Sequence, residues 1–173
     1  MDAFRIHGGQ RLTGTISVDG SKNAALPLLA ASLLTDETVS IKGIPNLSDI
    51  SNMLTLLKEL GCDITEENDV KTIKVADSSN AHARYDIVRT MRASVCVLGP
   101  LLAKRGVAKV SMPGGCSFGD RPIDLHLRGL EALGARIELD GGDIIAHAER
   151  LRGATIFLGG PFGSTVLGTA NVM

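Results

Sequence analysis

The stretch LKELGCDI at residues 57–64 returns as LEALGARI at residues 130–137, 73 positions later (130 − 57). The stretch PLLA at residues 27–30 likewise returns at residues 100–103, at the same offset (100 − 27). Two matches at one offset indicate an internal repeat, and each repeat folds as one supersecondary unit. Chance similarity between leucine-rich helices is the alternative. We favour a true repeat.

Each copy alternates between helix and strand. Leu54, Leu57 and Leu60 share one face of a helix that Gly61 ends, and a pair of short strands follows around a polar turn at 66–69. The unit is β-α-β-α-β-β in outline, with helices inside and sheets outside, so the fold class is α/β (α+β). The predicted helices are 22–34, 47–60, 92–104 and 123–133, and the predicted strands are 38–42, 62–65, 70–75, 107–112, 136–139 and 143–146.

A third unit begins with a predicted strand at 154–158 and a helix from about Ser164. The sequence reaches Met173 inside that helix without a cap. Since repeat units bury their cores against neighbours, we expect a chain that is truncated in its third unit. Two alternating stretches, 4–7 and 14–18, are predicted strands outside the repeat that pair with a missing part of the protein.

Composition excludes several classes of function. A net charge of −1, with no Trp and one Tyr among 173 residues, gives no overall attraction to nucleic acid or anionic lipid and no base-stacking platform. The most apolar run, 24–34, is too short to span a bilayer. Cys62, Cys96 and Cys116 show no metal-binding or disulfide pattern, and the four histidines show no metal-binding spacing. We therefore expect a cytoplasmic protein with free thiols and no metal.

The stretch PGGCSFGDRP at residues 113–122 is the most informative for chemistry. Its glycines permit close approach to a ligand, and a thiol near Arg121 and a helix start favours the reactive thiolate. Cys116 is therefore a candidate for nucleophilic or acid–base work. The alternative is a glycine turn around an inert, half-buried Cys116.

Two cations open the predicted first helices of the two units. Lys22 lies in DGSKNAA at residues 19–25, and Arg92 follows 70 positions later (92 − 22). Helix amides and a cation together favour phosphate, so these two and Arg121 are expected to converge on one anionic ligand. The alternative is a set of separate solvated charges. Asp49 is expected on a solvated helix face.

Together SKNAALP at 21–27, TMRAS at 90–94, and PGGC at 113–116 through RPIDLH at 121–126 resemble the enolpyruvyl transferase family, in its branch that uses a UDP-sugar. The resemblance covers essentially the whole chain. It implies two domains of the inside-out barrel type, each made of three β-α-β-α-β-β units. Residues 1–20 would then be strands that belong with the missing second domain, and residues 21–173 an incomplete first domain of two units and a fraction.

The resemblance also implies a reaction. The 3′-hydroxyl of UDP-N-acetylglucosamine adds to C2 of phosphoenolpyruvate, and the tetrahedral intermediate loses phosphate, which is the first committed step of peptidoglycan synthesis. Cys116 matches the donor of the proton to C3, while Lys22 and Arg121 match phosphate-binding cations. No cofactor is implied. The matching substrate-binding residues are Lys22, Asn23, Arg92, Arg121, Pro122, Ile123, Asp124 and Leu125.

Two departures from the family limit these expectations. The general-base Asp and a further Arg lie in the missing half, so this chain alone should not turn over. The loop at 160–165 reads GPFGST, where Pro161 and Phe162 supply no hydroxyl for the nucleotide, although Gly163 and Ser164 can compensate. The alternatives are a non-catalytic nucleotide-sugar binding module and a self-sufficient structural protein.

Overall fold

The computed structural model describes residues 3–113, 123–161 and 163–173. The first unit contains α1 (Lys22–Ala31) with a 3-10 turn (Ser32–Leu34), β1 (Val39–Lys42), α2 (Ser48–Glu59), β2 (Cys62–Glu67) and β3 (Val70–Val75). The second contains β4 (His82–Ala83), α3 (Tyr85–Val88), a 3-10 segment (Arg92–Val97), α4 (Leu98–Arg105), β5 (Val107–Ser111), α5 (Asp124–Ala132), β6 (Arg136–Asp140) and β7 (Asp143–His147). Then follow β8 (Gly159–Gly160), β9 (Gly163–Ser164) and α6 (Val166–Val172).

The two units build equivalent sheets, which confirms the repeat. The first sheet has the order β1-β3-β2 and the second β4-β5-β7-β6, so β5, β7 and β6 take the places of β1, β3 and β2. All these pairs are antiparallel except β4 with β5, which is parallel. Asn68 and Asp69, at φ 48° and 64°, form the two-residue turn between β2 and β3.

The helices form the core. Of the twelve largest fully buried side chains among the described residues, all but Ile73 lie on helices or at their ends. The first helices of the three units contact one another. They are α1, the segment Arg92–Val97 with α4, and α6. The predicted arrangement of helices inside and sheets outside is therefore confirmed. Among the described residues, no helix combines the length and apolarity needed to cross a membrane.

The strands predicted at 4–7 and 14–18 do not form. Residues 3–20 carry neither helix nor strand, and the alternating apolar side chains Phe4, Ile6, Ile16 and Val18 are each at least 88% exposed. Alternation gives a strand only where another strand accepts its hydrogen bonds, and none of the described strands pairs with this segment.

The third unit also departs from the prediction. Residues 151–158 contain no strand, and the short hairpin β8–β9 follows instead. In the second unit the opening strand β4 pairs with β5, which comes after the first helix. Among the described residues, no strand follows α6 that could pair with 154–158 in the same way. The first turns of the predicted helix 92–104 are 3-10 rather than α, and the short elements β4 and α3 were not predicted.

The stretch of sequence before the second helix is longer in the second unit than in the first. Five residues, 43–47, connect β1 to α2, whereas twelve, 112–123, connect β5 to α5. The extra length holds the glycine-rich stretch that contains Cys116.

Candidate active site

Lys22 opens α1 and reaches across to α2. Ser21 caps the helix, since its hydroxyl accepts a hydrogen bond from the amide of Ala24 at 3.4 Å. The Lys22 Nζ lies 2.7 Å from Oδ2 of Asp49 in the first turn of α2. Asn23 follows in the first turn of α1 and is exposed. Asp49 is thus an ion-pair partner, not the solvated carboxylate that the sequence suggested.

Arg92 occupies the related place in the second unit. It opens the segment Arg92–Val97, which contacts α1. Burial lowers the pKa of His126 on α5, the positive charge of Arg92 lowers it further, and the negative charge of Asp124 raises it. Both charged groups therefore lie near this imidazole. In each unit, therefore, a cation opens the first helix and an aspartate lies in the first turn of the second, at Asp49 and Asp124.

His126 is buried and anchors this arrangement. Its Nδ1 lies 3.1 Å from Nδ2 of Asn171 on α6, while Oδ1 of Asn171 accepts a hydrogen bond from the amide of Gly99 at 2.8 Å. Since the Asn171 amide nitrogen must then be the donor, His126 accepts through Nδ1 and is neutral. Burial is the main reason that the pKa of His126 is lowered to about 4. The pair connects α5 to α6, and no local pattern around His126 predicts it.

Some of the predicted site residues lie in the described part of the chain and others do not. Ile123 is buried at the start of α5, Asp124 is exposed and Leu125 is partly buried. Lys22 and Arg92, which were predicted to converge, open elements that contact each other. Cys116, Arg121 and Pro122 lie outside the described residues.

Cys62 and Cys96 have the structural role expected of them. Both are buried and free, and burial raises the pKa of each thiol to about 11. Across the residues that the structure describes, no three His, Cys, Asp or Glu side chains are grouped so as to hold a metal ion.

Solved structures define the class of protein to which this fold belongs. The enolpyruvyl transferase NikO from Streptomyces tendae matches with a TM-score of 0.69 at 23% identity, over 85% of this chain and 32% of that one. The EPSP synthase from Acinetobacter baumannii matches with a TM-score of 0.68 at 20% identity, over 92% of this chain and 37% of that one. The fold is therefore that of the enolpyruvyl transferases.

The family model of EPSP synthase (3-phosphoshikimate 1-carboxyvinyltransferase) matches residues 6–173, so the chain belongs to this family. Curated relatives named UDP-N-acetylglucosamine 1-carboxyvinyltransferase are similar over the whole chain. The protein from Methylacidiphilum infernorum is 56% identical, and one from Carboxydothermus hydrogenoformans, numbered 2, is 50% identical. The chain spans 41% of the length of each of these two relatives.

Proposed function

We propose that this chain is part of an enzyme that transfers the enolpyruvyl group of phosphoenolpyruvate to the 3′-hydroxyl of UDP-N-acetylglucosamine and releases phosphate. The observation that carries the proposal is the 56% identity over all 173 residues with a relative named for this reaction. The cations at the starts of contacting helical elements, Lys22 and Arg92, support it, because both substrates are anionic.

The proposed chemistry has two steps. In the addition, the sugar oxygen bonds to C2 of phosphoenolpyruvate, the thiol of Cys116 gives its proton to C3, and the hydroxyl proton passes to a base. In the elimination, the bond from C2 to the phosphate oxygen breaks, C3 returns a proton to the Cys116 thiolate, and the double bond is restored. Lys22 and Arg121 stabilise the phosphate charge as it develops.

The substrate contacts are assigned on the same basis. Lys22 and Asn23 would bind at the junction of the two substrates. Arg92 and the segment 121–125 would bind the UDP-sugar, with Asp124 and Leu125 in the first turn of α5. No metal or organic cofactor takes part in the proposed reaction.

The domain assignment is part of this proposal. Residues 1–20 would belong with a second domain, and residues 21–173 with the first. The exposed apolar side chains of residues 3–20 support this division, since a partner strand would cover them. The buried free thiols Cys62 and Cys96 fit a reducing compartment, so we propose a cytoplasmic enzyme of peptidoglycan synthesis.

The test is an assay of phosphate release by the complete product of the gene that encodes this sequence. With phosphoenolpyruvate and UDP-N-acetylglucosamine together we expect one phosphate per enolpyruvyl group transferred, and none when either substrate is omitted. Shikimate 3-phosphate is the matched control acceptor, and we expect no release with it. Release with that acceptor alone, or calorimetric binding of the UDP-sugar without release, would reject the proposal.

A further inference from the structure

Arg128 on α5 holds a segment of the chain that has no regular structure of its own. Its Nη2 donates hydrogen bonds to the carbonyl oxygens of Phe157 and Gly159, each at 2.8 Å. Residues 151–158 belong to no helix or strand. A backbone bond from the Arg152 amide to the Leu133 carbonyl, at 2.8 Å, holds the start of this segment at the end of α5. Further along the segment, the two bonds from Arg128 are charge-assisted.

A second contact fixes the same segment at the next residue of the helix. Gly129 is buried, and a methyl group on its Cα would lie 2.5 Å from Cγ2 of Val172 and 3.2 Å from Cδ2 of Leu158. The absence of a side chain at Gly129 thus allows both α6 and the segment to approach α5 closely. Arg128 lies beside this contact and bonds the backbone on either side of Leu158.

The hairpin β8–β9 continues directly from this fixed point toward the start of α5. A methyl group on the Cα of Gly160 would lie 3.8 Å from Cδ2 of Leu125, which is van der Waals distance. Leu125 lies three residues before Arg128, about one turn of the helix. Leu125, which contacts the hairpin, and Arg128, which bonds the backbone at the start of the hairpin, are therefore about one helical turn apart on α5.

We infer that Arg128 is a positioning residue that sets the hairpin β8–β9 against Leu125 and so shapes the pocket for the UDP-sugar. The inference rests on the proposed function, in which Leu125 contacts that substrate. Both bonds that Arg128 makes to this segment go to backbone carbonyls, so its effect on the ligand passes through the hairpin. It therefore acts on the UDP-sugar and not on phosphoenolpyruvate, whose proposed ligands are Lys22, Asn23 and Arg121.

The experiment compares Arg128→Ala with the wild-type sequence in the complete gene product. Loss of one charge-assisted anchor corresponds to about a 10-fold change in an equilibrium constant. We expect KM for UDP-N-acetylglucosamine to rise about 10-fold, while kcat and KM for phosphoenolpyruvate change less than about 2-fold. Arg128→Lys should restore most of the affinity, because one ammonium can donate to both carbonyls.

Glu131→Ala, an exposed change one turn further along α5, is the matched control and should leave all constants unchanged. An unchanged KM for the UDP-sugar in Arg128→Ala would overturn the inference while leaving the proposed function intact. Equal rises in both KM values, with a lowered Tm and no recovery in Arg128→Lys, would overturn it in favour of a general structural role. If the wild-type protein shows no turnover, the proposed function fails. In that case calorimetry measures the affinity for UDP of the wild type and of Arg128→Ala. Weaker binding by the variant supports the inference, and equal affinities overturn it.

Discussion

The ammonium of Lys22 lies 2.7 Å from a carboxylate oxygen of Asp49, and this ion pair joins the first turn of α1 to the first turn of α2. The two side chains are 43% and 30% exposed. Ion pairs in such positions contribute about 0–1 kcal/mol to stability. The contact matters more for the orientation of Lys22, because it holds this flexible side chain in one position. The ammonium keeps further hydrogens that can bond a phosphate.

Asp49→Asn should therefore impair catalysis more than stability. The amide retains an oxygen acceptor but loses the charge that holds Lys22. We expect kcat/KM for phosphoenolpyruvate in the complete gene product to fall about 10-fold, equivalent to about 1.4 kcal/mol, with little change in Tm. Asp36→Asn is the matched control, because Asp36 forms a comparable exposed ion pair with Lys104 at 2.6 Å. Identical kinetics in the two variants would show that Asp49 does not position Lys22.

The three cysteines should differ sharply in reactivity. Cys62 and Cys96 are buried, and burial raises the pKa of each thiol to about 11, so almost none of either is thiolate at pH 7.5. Iodoacetamide should alkylate Cys116 alone in the native protein and all three cysteines in denaturant. The resemblance to the enolpyruvyl transferases implies that the antibiotic fosfomycin alkylates the loop cysteine, so with the UDP-sugar present it should likewise add only to Cys116 in the complete gene product. Peptide mass spectrometry checks both results, and native labelling of Cys62 or Cys96 at the rate of Cys116 would contradict the assignment.

Local sequence signals predicted the helices and hairpins because those signals act within a few residues. Gly61 and Gly134, which were read as helix ends, follow α2 and α5 with φ of 88° and 100°, a region that favours glycine. The same kind of signal gives no strand in the structure at residues 4–7, 14–18 and 154–158. Alternation of apolar and polar residues indicates which side chains would share a face of a strand. A strand also needs a partner elsewhere in the protein to accept its hydrogen bonds.

The site was predictable to the same extent. The positions of Lys22 and Arg92 at helix starts follow from local patterns, and both are found there. Their surroundings do not follow, because Asp49 lies 27 residues from Lys22 and Asn171 lies 45 residues from His126. A helical hydrophobic pattern marks His126 only as an inward position on α5, and nothing local indicates which polar group it meets.

Arg105 should make a large contribution to the stability of the chain. Its guanidinium donates to the carbonyl oxygens of Leu60, at 2.8 Å, and of Asn80, while Asn80 donates to the carbonyl of Glu59 at 2.7 Å. Arg105 at the end of α4 thus binds the end of α2 and the linker between the two units. We expect Arg105→Ala to lower the free energy of unfolding by about 2–3 kcal/mol, since it leaves partly buried carbonyls unpaired.

Urea denaturation of the 173-residue chain measures this effect. Lys104→Ala is the control at the adjacent position, where the exposed pair with Asp36 should contribute less than about 1 kcal/mol. Equal losses in the two variants would mean that the bonds of Arg105 do not connect the units energetically.

Gly99→Ala should destabilise the chain although Ala is the better helix former. Gly99 lies in α4, and a methyl group on its Cα would lie 2.1 Å from the backbone oxygen of Asn171 on α6. In an open helical position the same change would stabilise by about 1 kcal/mol. Here it would push apart two helices whose contact includes the bond from the Gly99 amide to Asn171. We expect a loss of about 1–3 kcal/mol in urea denaturation. Gly153→Ala, where the methyl would meet no atom within 4 Å, should be nearly neutral, and a neutral Gly99→Ala would refute the close packing.

His126 should make stability depend on pH in the acid range. Its pKa is about 4 in the folded chain, because burial and the charge of Arg92 disfavour the cation, against an ordinary value of 6.5 in the unfolded chain. Between those values the unfolded state binds more protons, so the free energy of unfolding falls as the pH drops from about 6.5 to about 4. The full contribution is present above about pH 6.5, and the slope from this residue is at most about 1.4 kcal/mol per pH unit.

His126→Gln should flatten this slope, because the glutamine oxygen can accept the Asn171 hydrogen bond but does not titrate in this range. The measurement is the free energy of unfolding in urea at pH 4.5, 5.5 and 7 for wild type and variant. His147→Gln, at an exposed histidine on β7, is the control and should keep the wild-type slope. A slope that survives between pH 4.5 and 7 in His126→Gln would show that another group causes the acid sensitivity in this range. Such a result would remove the neutral His126–Asn171 pair as the cause.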